Sequence, residues 1–181
     1  MPQIQIRPAT SADIPHLIAL DHGYTSDYVW QMDLQQEEGQ ARVNVYFRQT
    51  RLPRSARVEY PRPPSELAED WHQRPGLLVA ILDGEVVGYI SLAVDIAPVT
   101  AWVTDLAVMR RVRRQGIGTG LLLAGMEWAK QHSLDRLVIE MQPKNYPALC
   151  MAQKLGFSFC GYQDPYYSNH DIALFFSKPV R

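Results

Sequence analysis

The stretch 110-RRVRRQGIGTG-120 sets four arginines beside three glycines in eleven residues. It lies between an apolar run, 101-AWVTDLAV-108, and a helix-like one from Leu121 to Ala129. A strand that runs into a glycine-rich turn and then a helix leaves main-chain N–H groups unpaired at the helix N-terminus, where the dipole adds about half a positive charge. Such a place binds phosphate. Glycine lets the main chain approach an anion with no Cβ in the way, and arginine adds bidentate hydrogen bonds to phosphate oxygens. Two common phosphate loops fail on spacing. A Walker loop needs a lysine and then Ser/Thr after its last glycine, and Gly120 is followed by Leu121. The dinucleotide fingerprint GxGxxG would place its last glycine at position 121, again a leucine. The reading that needs no ligand is a turn followed by a solvated basic helix start.

Working outward, the positive charge is local. The chain has 181 residues, a formal net charge of -1 and a pI near 6.5, with 46% hydrophobic and 20% charged residues. That size fits a single domain over 1–181 with a proper core, in which 23–76 forms a variable, substrate-side segment. The charge balance argues against a nucleic-acid or membrane-surface binder, which usually carries a strong basic excess. Cys150 and Cys160 stand in apolar company without zinc or disulfide spacing, so they are expected to be buried free thiols, and no metal is expected. MPQIQIRPAT has no charged n-region followed by an apolar h-region, and no apolar run approaches the ~18 residues of a membrane span. A cytoplasmic, reducing compartment is expected.

Strand and helix signals alternate along the chain. Ile4 and Ile6 alternate with polar residues up to Pro8, as in an edge strand, and Thr10 or Ser11 can cap a short helix over Ile14, Leu17, Ile18 and Leu20. The runs 77-LLVAIL-82 and 86-VVGYISLAV-94 form a hairpin turned by Asp83-Gly84. After the glycine loop comes a helix to His132, with Ile117, Leu121, Ala124 and Trp128 on one stripe, then the strand 136-RLVIEM-141. In 143-PKNYPALCMAQKLG-156, Asn145 reads as N-cap, Pro147 lies in the first turn and Gly156 ends the helix. Strands 157-FSFCGY-162 and 172-IALFFS-177 close the chain. Between Arg42 and Arg62, six arginines and one acid, Glu59, are interleaved with Tyr46, Phe47 and Tyr60. This strip is either a groove for an acidic substrate or a solvated, proline-broken flap, and the flap is preferred.

Arg113-Arg114-Gln115-Gly116-Ile117-Gly118 matches another spacing. It resembles the R/Q-x-x-G-x-G/A signature of the GNAT superfamily of acyl-CoA N-acyltransferases. The likeness extends to 105-DLAV-108 and 145-NYPALCMAQKLGFSFCGY-162, with a faint likeness to the streptothricin acetyltransferases. It implies an α/β (α+β) fold, a mixed, mostly antiparallel sheet of about seven strands flanked by helices. It also implies acetyl-CoA as co-substrate, contacted by Leu106, Ala107, Val108, Arg113, Arg114, Gln115, Gly116, Ile117, Gly118, Thr119 and Asn145. The implied partner is a primary amine of a small molecule or peptide, with no nucleic acid and no membrane, and the protein a monomer or homodimer.

Direct attack of an amine on a thioester needs a proton acceptor for the amine, N–H donors for the oxyanion and an acid for the thiolate. Glu140 ends an apolar strand where, by resemblance, some relatives carry their base. Asp105 lies inside AWVTDLAV, where a charge must be used or paired. Either is a candidate base. The tyrosine that the family uses as acid would fall at position 152, and this chain has Ala152. That departure motivates an alternative, a non-catalytic acyl-CoA-binding sensor or structural protein of the same fold.

Overall fold

The computed structural model describes residues 4–36, 39 and 42–180; residues 1–3 of MPQIQIRPAT and the chain's last residue lie outside the described residues. The 101–108 run lies at the centre of a seven-stranded sheet, and the helix that follows the glycine loop packs on one face of it. Its strands are β1 (Ile4–Pro8), β4 (Gly76–Leu82), β5 (Glu85–Ala93), β6 (Thr100–Val108), β7 (Arg136–Met141), β8 (Ser158–Gln163) and β9 (Ala173–Pro179). Their order is β1-β4-β5-β6-β7-β9-β8, with the Ile4–Pro8 strand at the edge as expected. Every pairing is antiparallel except β6 with β7, which is parallel. Asp83 (φ 52°) and Gly84 (φ 82°) both take left-handed backbone, as a two-residue hairpin turn requires.

Helices cover both faces. Against one lie α3 (Ile117–Gln131) and α4 (Tyr146–Lys154), closing a core that includes Ile90, Leu92, Leu121, Leu122, Leu149 and Phe176. Against the other lie the short α1 (Ile14–Ile18) and α2 (Glu66–Asp70), over Leu17, Leu67, Val79 and Tyr89. The buried stripe of α3 is Ile117, Leu121, Leu122, Gly125 and Ala129, rotated from the expected one, so Ala124 and Trp128 are half-buried. Trp128 stacks instead on His132, centroids 3.9 Å apart. Neither Thr10 nor Ser11 caps α1. The residue before the helix is Asp13, whose carboxylate takes Arg7 (2.7 and 2.9 Å) and the Thr10 N–H (2.7 Å), and Leu20 falls beyond the helix. These contacts, the Arg7 hydrogen bonds foremost, hold the Asp13 carboxyl well below the usual carboxylate range.

The 23–76 segment is more ordered than a proline-broken flap. Strands β2 (Tyr24–Gln36) and β3 (Val43–Val58) pair as a long two-stranded ribbon. Pro53 does not interrupt it because the register slips between Ser26 and Tyr28, so Pro53 sits in the irregular stretch where no ladder bond is lost. The ribbon packs Trp30 and Phe47 against Phe159, Phe176 and Tyr162. The two thiols are exposed, not buried. Cys150 follows the buried Leu149 around α4 and faces outward. Cys160 is the extra residue of a bulge, between Phe159 opposite Phe176 and Gly161 opposite Phe175. Among the described residues no helix is long and apolar enough to cross a membrane.

Close packing at one hairpin glycine gives a direct test. A Cβ on Gly88 would stand 2.7 Å from the Ala107 carbonyl oxygen. Gly88→Ala is therefore expected to cost about 1–3 kcal/mol. For a domain of this size that lowers the melting temperature by roughly 2–4 °C per kcal/mol, read by calorimetry.

Candidate active site

The site begins where the sheet opens. Strands β6 and β7 pair only from Thr100–Val103 to Arg136–Ile139, although β6 runs on to Val108 and β7 to Met141. A bulge starts the separation, since Ser91 faces Asp105 and Leu92 faces Val103, leaving Thr104 as an extra residue. Past it, among the described residues no strand pairs with the β7-facing edge of β6. Beside this gap lies a cavity of about 380 Å³.

The glycine loop forms the cavity's far wall. Arg114 (φ 65°) and Gly116 (φ 88°) take left-handed backbone to turn the chain into α3. The first bond to a helix carbonyl runs from the Gly120 N–H to Gly116 O at 2.9 Å. The preceding residues Ile117, Gly118 and Thr119 line the cavity with Arg114 and Gly116. Gly118 is informative because the fold does not demand it. Its φ is not left-handed, and a Cβ there would meet Met151 Sδ at 3.5 Å and Val108 Cγ2 at 3.8 Å, ordinary contacts. The bare backbone is free to serve a ligand.

The four arginines divide their labour. Arg111 pairs with Glu85. Arg113 spends its guanidinium on main-chain carbonyls, Val108 O (2.7 Å), Gly23 O (2.8 Å) and Asp21 O, and so pins the end of β6 to the turn before β2. Arg114 and Arg110 are exposed, and of these Arg114 lines the cavity. Gln115 is exposed and does not line it. Leu106, Ala107 and Val108 supply the β6 side. Asn145 caps α4 by accepting from the Ala148 N–H (3.2 Å) and also lines the cavity.

The carboxylates are placed differently. Asp105, 5% exposed, accepts from the Tyr60 hydroxyl (2.6 Å) on Oδ1 and from Arg74 (2.8 Å) and Thr104 (3.2 Å) on Oδ2. Glu140 accepts from Arg62 on one oxygen and from the Trp102 indole and the Tyr166 hydroxyl (2.7 Å) on the other. Each buried charge is thus compensated. Neither lines the cavity, which is reached from their side by His22, Tyr24 and Tyr60. Ala152 is wholly buried in the core and offers no acid.

His22 and Tyr60 were missed as site residues because their roles are set by neighbours far along the chain. Arg113 holds the carbonyls on both sides of His22. The His22 Nδ1 lies 2.8 Å from Leu20 O, a group that only accepts, so Nδ1 carries the proton and Nε2 accepts from the Tyr89 hydroxyl at 3.0 Å. Tyr60 packs on its ring, centroids 5.1 Å apart. Burial lowers the His22 pKa, partly countered by the Leu20 hydrogen bond, and burial together with Asp105 raises that of Tyr60.

The site is thus a glycine loop at the start of a helix, opening on a gap between two parallel strands that part, with the cavity lined from both. Residues 44–157 match the profile of the Acetyltransferase (GNAT) family, and the chain belongs to it. An N-alpha-acetyltransferase of Sulfurisphaera tokodaii is 32% identical over 113 residues, 56% of this chain and 68% of that protein. A streptothricin acetyltransferase of Streptomyces lavendulae is 27% identical over 101 residues, 54% of this chain and 53% of that protein. In fold, the chain superposes on nourseothricin acetyltransferase with a TM-score of 0.81 at 22% identity, over 98% of this chain and 99% of the other. It also superposes, with a TM-score of 0.76 at 19% identity over 98% and 99%, on a Bacillus anthracis protein solved in complex with acetyl coenzyme A.

Two outcomes are expected here. Arg113→Ala should cost about 1–3 kcal/mol by stranding carbonyls, whereas Arg114→Ala should leave the melting temperature alone and weaken coenzyme A binding about ten- to a hundredfold in calorimetry. The His22 charged form is disfavoured in the folded protein, so the unfolded chain binds more protons between the lowered pKa and the ordinary 6.5. This contribution is fully present above 6.5 and is lost as pH falls through that window. His22→Gln should flatten the acid limb of a melting-temperature profile taken between about pH 5 and 7.

Proposed function

We propose that this protein, an acetyl-CoA-dependent N-acetyltransferase of one domain, acetylates a primary amine of a small molecule or peptide by direct attack. The observation that carries the reading is the glycine loop at the start of α3 facing the gap between β6 and β7. In this reading Arg114 and the N–H groups of Ile117, Gly118 and Thr119 hold the pyrophosphate. The pantetheine arm follows the unpaired edge of β6 at Leu106–Val108, with Asn145 across from it. Main-chain N–H groups of that edge receive the oxyanion.

The amine approaches from the face covered by the 23–76 segment. There the Tyr60 hydroxyl donates to Asp105 and lines the cavity. As the amine nitrogen attacks the thioester carbon, its proton passes to the Tyr60 oxygen while the Tyr60 proton passes to Asp105 Oδ1. Collapse of the intermediate breaks the C–S bond and releases the thiolate, which takes up a proton from solvent while Asp105 returns one to solvent through Tyr60, so that the net proton count is unchanged and the base is regenerated. Asp105 is thus the ultimate base, working through Tyr60, and Glu140 serves the acceptor differently.

Acetyl-CoA at a hundredfold excess over its Kd should stabilise the protein by about 2.7 kcal/mol. Free-thiol release should then rise with suitable amines. An unmoved melting temperature sinks the reading; a shift without thiol release from any amine favours the sensor. Tyr60→Phe and Asp105→Asn should each lower turnover by about 10²–10⁴, with the double variant little worse than either and the acetyl-CoA shift unchanged. Full independent losses would show that the two groups do not act as a relay.

A further inference from the structure

The segment joining β3 to α2 closes over both buried carboxylates at once. Two of its residues do this, Tyr60 on Asp105 and Arg62 on Glu140. The Arg62 contact has the composition of a ligand site. Its guanidinium donates to Glu140 and to the Thr104 carbonyl oxygen (2.9 Å), which belongs to the bulge where β6 begins to leave β7. It also lies over the Tyr167 ring at 5.2 Å and the Tyr166 ring at 6.0 Å. A fully buried carboxylate, a main-chain carbonyl and two aromatic faces are what a desolvated cation needs. Arg62 itself is not locked in, for its side chain keeps 26% of its exposure while that of Glu140 keeps none. It is carried on 61-PRPP-64, a connection with no strand or helix pairing of its own.

We propose that this cage is the acceptor's cation site, and that Arg62 fills it until an acceptor arrives. The proposal rests on the acetyltransferase reading and narrows its substrate class. A nitrogen held as a cation between a carboxylate and aromatic rings has no free lone pair and cannot attack a thioester. The group that displaces Arg62 is therefore not the reacting amine. The preferred acceptor carries two nitrogens, one delivered neutral to Tyr60 and one kept as ammonium or guanidinium beside Glu140. Both carboxylates then have a task, and the electrostatics stay balanced because one cation replaces another. Arg62 swinging outward loses only contacts that the acceptor restores.

The wild-type enzyme tests this without mutation. Against a matched monoamine such as n-butylamine, 1,4-diaminobutane and agmatine should show at least a tenfold lower KM at similar kcat; equal KM values overturn the proposal. Binding is read separately. Arg62→Ala empties the cage, so it should lower the melting temperature, and methylguanidinium at millimolar concentration should raise it again. The same ion should shift the wild type and Arg62→Lys less, because there it must first displace the resident cation. If methylguanidinium shifts all three alike, or none, there is no cation site at Glu140. Should Arg62→Ala fail to fold, Arg62→Gln replaces it, and the wild-type kinetics still decide. Absence of thiol release with every amine, monoamine and diamine alike, counts against the acetyltransferase reading, whereas the methylguanidinium result stands on its own.

Discussion

Everything in the site depends on two parallel strands that part company. Parallel pairing of β6 and β7 lasts four residues, and the Thr104 bulge then turns β6 away. A sheet edge inside a protein is normally a liability, because its N–H and C=O groups have left water without finding partners. Here the cost is put to use. The unpaired edge lies between the N-termini of α3 and α4, so a ligand with amides in its middle and phosphates at one end can satisfy both. Arg113 maintains the arrangement from behind by tying Val108, Asp21 and Gly23 together. Arg113, which also lines the cavity, thus acts as a structural clamp, and in the proposed reading the anion is held by main-chain donors and Arg114.

Opening the sheet also exposes the other face, and burial there explains the charges. Asp105 and Glu140 sit where the strands diverge, too deep for solvent to compensate them. Arg62, Arg74, Tyr60 and Tyr166 do so instead. Arg62 would lose much by burial, but the negative charges of Glu140 and Asp105 outweigh that and raise its pKa. Burial and the neighbouring Glu140 likewise push the Tyr166 phenol up to about 12, so it remains a donor. Because both arginines and both phenols come from the segment after the ribbon or the loop before β9, with only Trp102 and Thr104 added from β6, acceptor recognition and charge balance are one problem on this face in the proposed reading.

What the sequence disclosed follows from how local each feature is. The β4–β5 hairpin, β6, the loop and α3 were legible because turn chemistry, periodicity and glycine spacing act within a dozen residues. Cap and terminator of α4 were legible for the same reason. The ribbon was misread as a broken flap because Pro53 signals a break, and only the partner strand shows that it falls at a register slip. The thiols were misjudged because apolar neighbours in sequence do not say which way a residue faces on α4 or in a bulge. Asp105 and Glu140 could be picked out as charges in apolar strands, but not their partners. Tyr60 is 45 residues from Asp105, and Arg62 is 78 from Glu140.

The missing tyrosine at position 152 shows the same logic from the opposite side. A side chain there would come from α4, which lines the cavity through Pro147, Ala148, Cys150 and Met151, but Ala152 is packed in the core and its carbonyl accepts from the Phe157 N–H at 3.0 Å. The phenol that reaches the cavity from the acceptor side is Tyr60, carried by a different element and held by a carboxylate. A hydroxyl that donates to Asp105 at 2.6 Å, with its pKa raised by burial and by that charge, is a poor source of protons for a departing thiolate. It is well suited to pass one along, since accepting a proton on oxygen and giving one to Asp105 leaves the phenol neutral throughout. In the proposed relay, alanine at 152 therefore removes an acid without removing a route for the amine proton, and the proton transfer falls to the acceptor side of the sheet.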